Sequence, residues 1–501
     1  MDVRSLCYTL IALTPLLYFL KSYVASAESS HHGLRLPPGP WRLPVIGSLH
    51  HLLGALPHRQ LRDLSHRYGP LIFLKFAEVP VVVASSRDAA REAMKTHDAA
   101  FATRPQTKVA KILTKQGQSI ALAPYGDQWR QLRRICVLEI LSARRVRSLR
   151  PVREEEAARL VHAVSLAPLV NLSELVTAYV ADTTMHAIMG YHINDCDAFL
   201  CCINEAIQLA GGFSLADLFP SSRLADALCW TTRRAEVYQE NVFAFFGRII
   251  EEHIERRSHE EAFQEGLIDV LLRNQSPGSP HGPLTIGTIK AIIFDLFSAG
   301  SETAAATLQW AMAELMRNPT VMSRAQAEVR EAFAMQMKVT EEGLSKLSYL
   351  HLVVKETLRL HVPGPLLIPR ECQETCEVLG YDVPKGTMVL VNAWAIARDP
   401  RYWDEPEGFN PERFEHDKRD FRGNDFEFTP FGAGRRICPG MLFGLANVEL
   451  ALANLLFYFD WTIPTESIHS SELDMTESMG ITARRKMDLW LRGTARVPLP
   501  R

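Results

Sequence analysis

The apolar positions of this chain fall into three rhythms: one unbroken run near the start, a stretch of strand-like runs, and long segments at helical spacing. The unbroken run is LCYTLIALTPLLYFL, residues 6–20, bounded by Arg4 and Lys21. Between Pro57 and Ala100 a short helical pattern precedes PLIFLKFAEVPVVVASS, whose apolar and β-branched runs predict two strands around a turn. From about residue 125 to about residue 260 the spacing is mostly helical, with basic clusters. QSPGSPHGP, residues 275–283, then interrupts the pattern with turn formers.

The segment after that break predicts the longest helix. Thr285 suits its N-cap and Pro319 its stop, and the residues between are apolar on nearly every face. Such a helix belongs at the centre of a large protein. A membrane span is the competing reading, and Asp295, Glu302 and Glu314 make it expensive. LSYLHLVVKETLRL predicts another helix, ended by Pro363. GYDVPKGTMVLVNAWAIA reads as a turn and a strand, and MLFGLANVELALANLLFYF as a strongly apolar helix. No internal repeat is evident. The elements predict a mainly α fold with small β-sheets.

A bilayer span needs about 20 apolar residues. Residues 6–20 reach that only if SYVASA extends the run and Lys21 snorkels to the interface. Ala25-Ser26-Ala27 suits the rival, a cleaved secretory signal. Asp2 offsets Arg4, while Lys21 and Arg35 follow the run, which suits a cytosolic flank. We therefore expect a retained membrane anchor over 1–27, in contact with lipid. LPPGP is expected to stiffen a proline-rich linker and entry segment over 28–56, ahead of the main domain over 57–501.

Composition narrows the function. Lys plus Arg number 55 against 57 Asp plus Glu in 501 residues. No basic excess exists to neutralise phosphates, so no nucleic-acid partner is expected. The nine cysteines are odd in number and scattered, which suits a reducing compartment rather than a disulfide scaffold. No CxxC, HExxH or CxxCH occurs; Cys372 and Cys376 form a CxxxC in acidic surroundings and read as ordinary residues.

Cys438 stands apart. It sits in FGAGRRICPG, residues 431–440, where Gly432, Gly434 and Gly440 let the backbone bend. Pro439 suits the first turn of the following helix, placing Cys438 at a helix N-terminus. The dipole and the loop N–H groups would favour a thiolate there. A thiolate with open space opposite suits nucleophilic attack, which needs a histidine partner absent from this loop, or axial ligation of a haem iron. Arg436 could then pair with a haem propionate. The bland alternative, a glycine-rich turn with an incidental cysteine, matches the whole pattern poorly.

Phe431, Gly434, Arg436, Cys438 and Gly440 match FxxGxRxCxG, and the chain thereby resembles the cytochrome P-450 monooxygenases over nearly its full length. The resemblance implies that family's fold with an N-terminal membrane anchor helix, a haem-thiolate catalytic domain over 57–501, and haem b ligated by the Cys438 thiolate. Further motifs fall in family order. Glu356 and Arg359 in KETLR, three apart on one helical face, resemble its ExxR, and Arg413 in PERF would complete a buried architectural network. AGSET, residues 299–303, resembles its oxygen-activation motif. Gly300 would leave room for dioxygen, Thr303 would offer a hydroxyl to a carbonyl one turn back or to bound oxygen, and Glu302 would be a proton source. A helix kink with a back-bonding threonine is the structural alternative. Trp129 and Arg133 in WRQLR, and Arg370 in PLLIPRE, resemble its propionate-side residues.

The implied reaction takes dioxygen, two electrons from NADPH through an NADPH–cytochrome P-450 reductase, and a substrate R–H, and gives R–OH and water. Arg134, Arg144 and Arg145, in a basic stretch, are candidate contacts for the acidic reductase, and Arg435 is assigned to the same surface. LPPGPWRLPVIGSLHHL, APYGDQWRQLRRIC and NAWAIARDP resemble plant A-type members, the seventy-one clan, and among them grass enzymes that oxidise terpenoids in defence. That implies an endoplasmic reticulum location with the catalytic domain facing the cytosol. Family pocket positions fall on Phe294, Phe297, Ala299, Leu366, Leu367 and Ile481, all apolar. The expected substrate is a sesquiterpenoid or diterpenoid. Indole, oxime or phenylpropanoid substrates, an oxygen-independent isomerase or dehydratase, and a non-enzymatic haem sensor are the alternatives.

Overall fold

The computed structural model describes residues 33–114, 118–193, 209, 214–259, 265–276, 278, 282–464, 473–478 and 480–498. The apolar run 6–20 lies outside the described residues. The first regular elements are helix α1 (Pro57–Tyr68) and strands β1 (Leu71–Phe76) and β2 (Val79–Ala84). The two strands form the expected hairpin, in register from Leu71↔Ala84 to Phe76↔Val79, with Ala77 at φ 52° in the turn. LPPGP does not bridge open space. Phe73 N donates to Pro38 O at 2.9 Å, and Gly39 lies so close to the Phe73 carbonyl that a side chain would collide with it.

The helical body follows: α2 (Asp127–Ile135), α3 (Arg150–Ser165), the short strand β3 (Leu169–Asn171), α4 (Leu172–Met189), α5 (Trp230–His259), α6 (Ile286–Arg317), α7 (Pro319–Phe333) and α8 (Ser348–Leu360). Four strands come next, β4 (Arg370–Glu371), β5 (Cys376–Val378), β6 (Tyr381–Val383) and β7 (Met388–Val391). Helix α9 (Met441–Tyr458) and strands β8 (Phe459–Thr462) and β9 (Trp490–Ala495) close the chain. The main sheet runs β1-β2-β7-β4, with β7 parallel to β2 and antiparallel to β4. That pairing joins residues near 80 to residues near 390 and puts Arg370 on the edge strand β4.

Helix α6 is the axis of the fold. Thr285 Oγ1 accepts from Thr288 N at 3.1 Å, and Pro319 starts α7 one residue after the Asn318 cap, as the sequence predicts. The helix packs against α4, α8 and α9. Its three acids are each answered by a partner. Asp295 accepts from Ser119, Glu302 from Arg484, and Glu314 contacts His361 at 2.7 Å while that ring stacks on Trp310. Pairing, rather than lipid, is how this chain accommodates charge on an apolar helix. Among the described residues α9 is long and apolar enough to cross a membrane, yet most of it is buried against α6, α7 and α8.

Candidate active site

The cysteine loop is shaped by two left-handed glycines, Gly432 at φ 69° and Gly434 at φ 70°. A Cβ on Gly434 would come 2.7 Å from the Asp98 carboxylate, so only glycine fits. Cys438 N donates to Phe431 O at 3.0 Å and closes the loop. Helix α9 begins at Met441 with Gly440 as its cap, so Pro439 precedes the cap instead of occupying the first turn. Burial pushes the Cys438 thiol up. The N–H groups of Gly440 and Met441 and the nearby Arg133 pull it down without cancelling the burial. The loop N–H groups and Arg133 thus favour the charged sulfur, as expected from the helix end, while burial opposes it. A coordinated metal ion is what deprotonates such a sulfur outright.

Four guanidinium groups crowd beside the loop. Arg436 is buried and donates to three carbonyls, Ala102 O (2.7 Å), Ile120 O (3.3 Å) and Ala123 O (2.6 Å), with its head 4.1 Å from the Trp129 ring centroid. Burial, then Arg370 and Arg133, lower its pKa to about 9. Arg133 donates to Ile437 O at 2.5 Å. Arg104, which no sequence motif singled out, donates to Ala121 O, Ile368 O and Pro369 O. Arg370 pairs with Asp98 at 3.2 Å and donates to Ala433 O. Asp98 also pairs with Arg435 at 3.1 Å, so Arg435 has a loop-bracing role instead of a purely surface one. Among the described residues Asp98 is the single carboxylate paired with any of these cations. A buried excess of positive charge beside a hydrogen-bonded sulfur fits a haem: Cys438 would hold its iron, and Arg436, Arg133 and Arg370 its propionates. Trp129 gives its ring face to Arg436, because its N–H is committed to Ile120 O at 3.0 Å.

On α6, Ala299 and Thr303 are exposed on an otherwise largely buried helix, four residues apart on one face. Thr303 Oγ1 donates to Ala299 O at 2.7 Å, and the helix runs without a break through Gly300. Gly300 does not open room on that face. A Cβ there would meet Thr184 of α4 at 3.3 Å, so its smallness serves helix packing. Glu302 accepts two 2.7 Å contacts from Arg484, a partner that no motif marks. Burial raises the Glu302 carboxyl above the ordinary glutamate value, and Arg484 brings it only partly back.

Asp295 ties these parts together. It accepts from Ser119 Oγ (2.9 Å), Ile120 N (2.6 Å) and Ala121 N (3.4 Å), while the same short segment offers its carbonyls to Arg436, Trp129 and Arg104. Burial pushes the Asp295 carboxyl up to about 6.

The remaining expectations divide. Glu356 binds Arg359 at 2.8 Å through both oxygens and Arg413 at 3.0 Å, the network expected. Arg134 and Arg144 are exposed, but Arg145 is occupied by Glu265 at 2.9 Å and is not a free docking cation. Of the pocket positions, Phe297 is wholly buried in the core and Phe294 nearly so, because both face the packed side of α6. Leu366 and Leu367 are half-buried, Leu367 lying under the cysteine loop at φ 51°, and Ile481 is exposed.

The fold and site thus define a protein built to seat a haem on a cysteine at the start of α9, a helix that packs on the long central helix α6. Residues 37–487 match the cytochrome P-450 family. The chain is 50% identical to desmethyl-deoxy-podophyllotoxin synthase of Sinopodophyllum hexandrum, covering 91% of each chain. It is 47% identical to premnaspirodiene oxygenase of Hyoscyamus muticus, over 98% of this chain and 99% of the other. It is 45% identical to dolabradiene monooxygenase of Zea mays, over 99% and 98%. A solved zebra fish cytochrome P-450 with abiraterone superposes at a TM-score of 0.73 and 26% identity, covering 88% of this chain and 99% of that one. The chain belongs to the cytochrome P-450 family and is a monooxygenase of the oxidoreductase class, and the family implies a haem-thiolate cofactor.

Proposed function

We propose that the protein oxidises a hydrophobic terpenoid, a sesquiterpenoid or diterpenoid of plant specialised (defence) metabolism. The observation that carries this reading is the exposed stripe of α6. It presents the Ala299 methyl and the single Thr303 hydroxyl, while the neighbouring acid is tied to Arg484. Leu366, Leu367 and Ile481 add apolar surface. Such a wall suits a substrate with few hydrogen-bonding groups. Two of the relatives are named as oxygenases of dienes, which favours the same reading.

The haem, when bound, supplies dioxygen activation, fed by NADPH through a reductase. Cys438 holds the iron, and the arginine cluster orients the propionates. Thr303 Oγ1 holds a proton at the exposed stripe, donated in this structure to Ala299 O. Glu302, its carboxyl raised by burial, is the proposed proton source for that hydroxyl, and it must first leave Arg484 to act. Arg134 and Arg144 face the reductase. Residues 1–27 anchor the chain in the endoplasmic reticulum membrane by a single pass, 28–56 connect, and the domain over 57–501 faces the cytosol.

The test is turnover by reductase-coupled enzyme on a panel of terpene olefins, with a podophyllotoxin-type compound included because one relative is named for it. Hydroxylated terpenes, formed only with NADPH and oxygen, are expected. Turnover confined to the podophyllotoxin-type compound, indoles, oximes or phenylpropanoids would refute the substrate class. Turnover without NADPH would instead indicate an isomerase or dehydratase.

A further inference from the structure

A second cluster of ligand-type side chains lies away from the cysteine loop. Glu156 projects from α3 and His186 from α4, and His192 follows the left-handed cap of α4 at Gly190. His186 Nδ1 is 2.8 Å and His192 Nδ1 3.0 Å from the same oxygen, Glu156 Oε1. The three ligand atoms all lie within 4.8 Å of one another. The other histidine–carboxylate pairs among the described residues bring one imidazole to one carboxylate, as at His58–Glu477, His253–Asp269 and His361–Glu314. Here two imidazoles converge on one.

We propose that Glu156, His186 and His192 form a two-histidine, one-carboxylate site for a divalent first-row transition ion, with Zn²⁺ the best match. Zinc takes imidazole nitrogen and carboxylate oxygen at about 2.0–2.2 Å in tetrahedral array, which sets donor atoms about 3.3 Å apart. The observed 2.8 and 3.0 Å separations need open by only a few tenths of an ångström, while the two imidazole nitrogens, within 4.8 Å of each other, would draw together. The carboxylate's other oxygen lies 3.6 Å from Arg159 Nε, a charge contact in the second shell, and Arg159 donates its hydrogen bond to Glu155 at 2.8 Å. Glu156 and His186 are buried, whereas the His192 side chain is 20% exposed and Arg159 half exposed, which gives an ion a way in from that side.

The site would pin α3 to α4 and fix the chain reversal after Gly190. Thr184, two residues before His186, is the side chain that meets Gly300 of α6. Occupancy therefore stiffens the helix against which the oxygen-side helix packs, a structural or regulatory role rather than a catalytic one.

The test uses the full-length holoenzyme with its affinity tag removed, stripped on a chelating resin. His50→Ala and His51→Ala remove a surface imidazole pair, with ring centroids 3.8 Å apart, that would also take up metal. Equilibrium dialysis against zinc chloride, with bound zinc measured by mass spectrometry, is expected to show one equivalent per chain. Removing a second-shell partner typically weakens metal binding about 10–100-fold, so Arg159→Met should cost about 10-fold and His192→Ala at least about 100-fold. Haem content should not change in either. Zinc K-edge absorption on the chain with all three ligands intact should show two imidazoles and oxygen, a readout that needs no ligand variant to fold. Absence of a stoichiometric zinc, equal uptake by His192→Ala, or sulfur in the zinc shell would each overturn the site.

Discussion

Two buried arginine networks lie within the domain, and they are closed in different ways. In the first, Glu356 takes both arms of Arg359 and one bond from Arg413, and Arg359 spends its remaining N–H groups on Ala397 O, Pro406 O and Gly408 O. Nothing outside the chain is needed to complete it. In the second, Arg104, Arg133 and Arg436 end on carbonyls, and Asp98 is shared between Arg370 and the half-exposed Arg435. Residue type and depth are alike; the supply of counter-charge differs. A self-contained network holds a fold, and one with a cationic surplus is built to receive an anion.

The comparison breaks most severely at Glu356. Glu356→Ala strands two buried guanidinium groups and should cost about 3–5 kcal/mol. Denaturant unfolding and the yield of soluble haem protein measure it, and a variant unfolding like the wild type would show that the network is not closed on this carboxylate.

Next in size is Asp295, which holds the segment that serves the second network. Its ordinary value is 3.8 and its folded value about 6. Between those values the folded protein keeps a proton that the unfolded chain has released. Stability from this group is therefore present at acid pH, falls as pH rises from about 4 to about 6, and is level above, a loss of about 3 kcal/mol. Asp295→Asn should remove that fall, seen as the wild-type-minus-variant difference in unfolding midpoint against pH. A difference that is flat across the window would sink the prediction.

Arg436→Met sharpens the contrast from the other side. Taking one cation out of a crowded cluster relieves like-charge repulsion but removes the donor to the Ala102 and Ala123 carbonyls, so the haem-free protein should lose at most about 1–3 kcal/mol. Haem affinity should fall, since a hydrogen bond to a charged group is worth about 1.5–3 kcal/mol, or roughly 10–150-fold. Haem transfer to a competing apoprotein reads this directly. If instead the haem-free protein collapsed while the variant kept haem as tightly as the wild type, the cluster would be architectural like the first.

Residues close in sequence made the first network and the cysteine loop legible. Glu356 and Arg359 are one helical turn apart, and glycines, Arg436 and Cys438 sit within ten residues. The β1–β2 hairpin and both ends of α6 could be read for the same reason, since turn and cap chemistry is local. Arg104, Asp98 and Arg484 could not. Each acts on a residue far along the chain, as Arg484 does on Glu302, and none carries a local pattern. The pocket positions were readable as apolar but not as facing inward or outward. An apolar helix with little polar face gives no periodic sign of which side packs, and Phe297 proved to be core while Ala299 is open. Gly300 was misread likewise, because a missing side chain does not say which neighbour needed the room.

The smallest effect belongs to Arg435→Ala. This arginine is the exposed member of the pair sharing Asp98, with 48% of its side chain open against 5% for Arg370. Water screens the exposed contact, so its loss should cost under about 1 kcal/mol. The Arg435 backbone N–H still donates to Asp98 at 2.8 Å in the variant, which keeps the carboxylate in place for Arg370. Haem retention should therefore stay near wild type, in contrast to Arg436→Met one position along. If the two neighbouring variants lost haem equally, the distinction between a cation that awaits an anion and one that braces the loop would fail, and with it the contrast between the two networks.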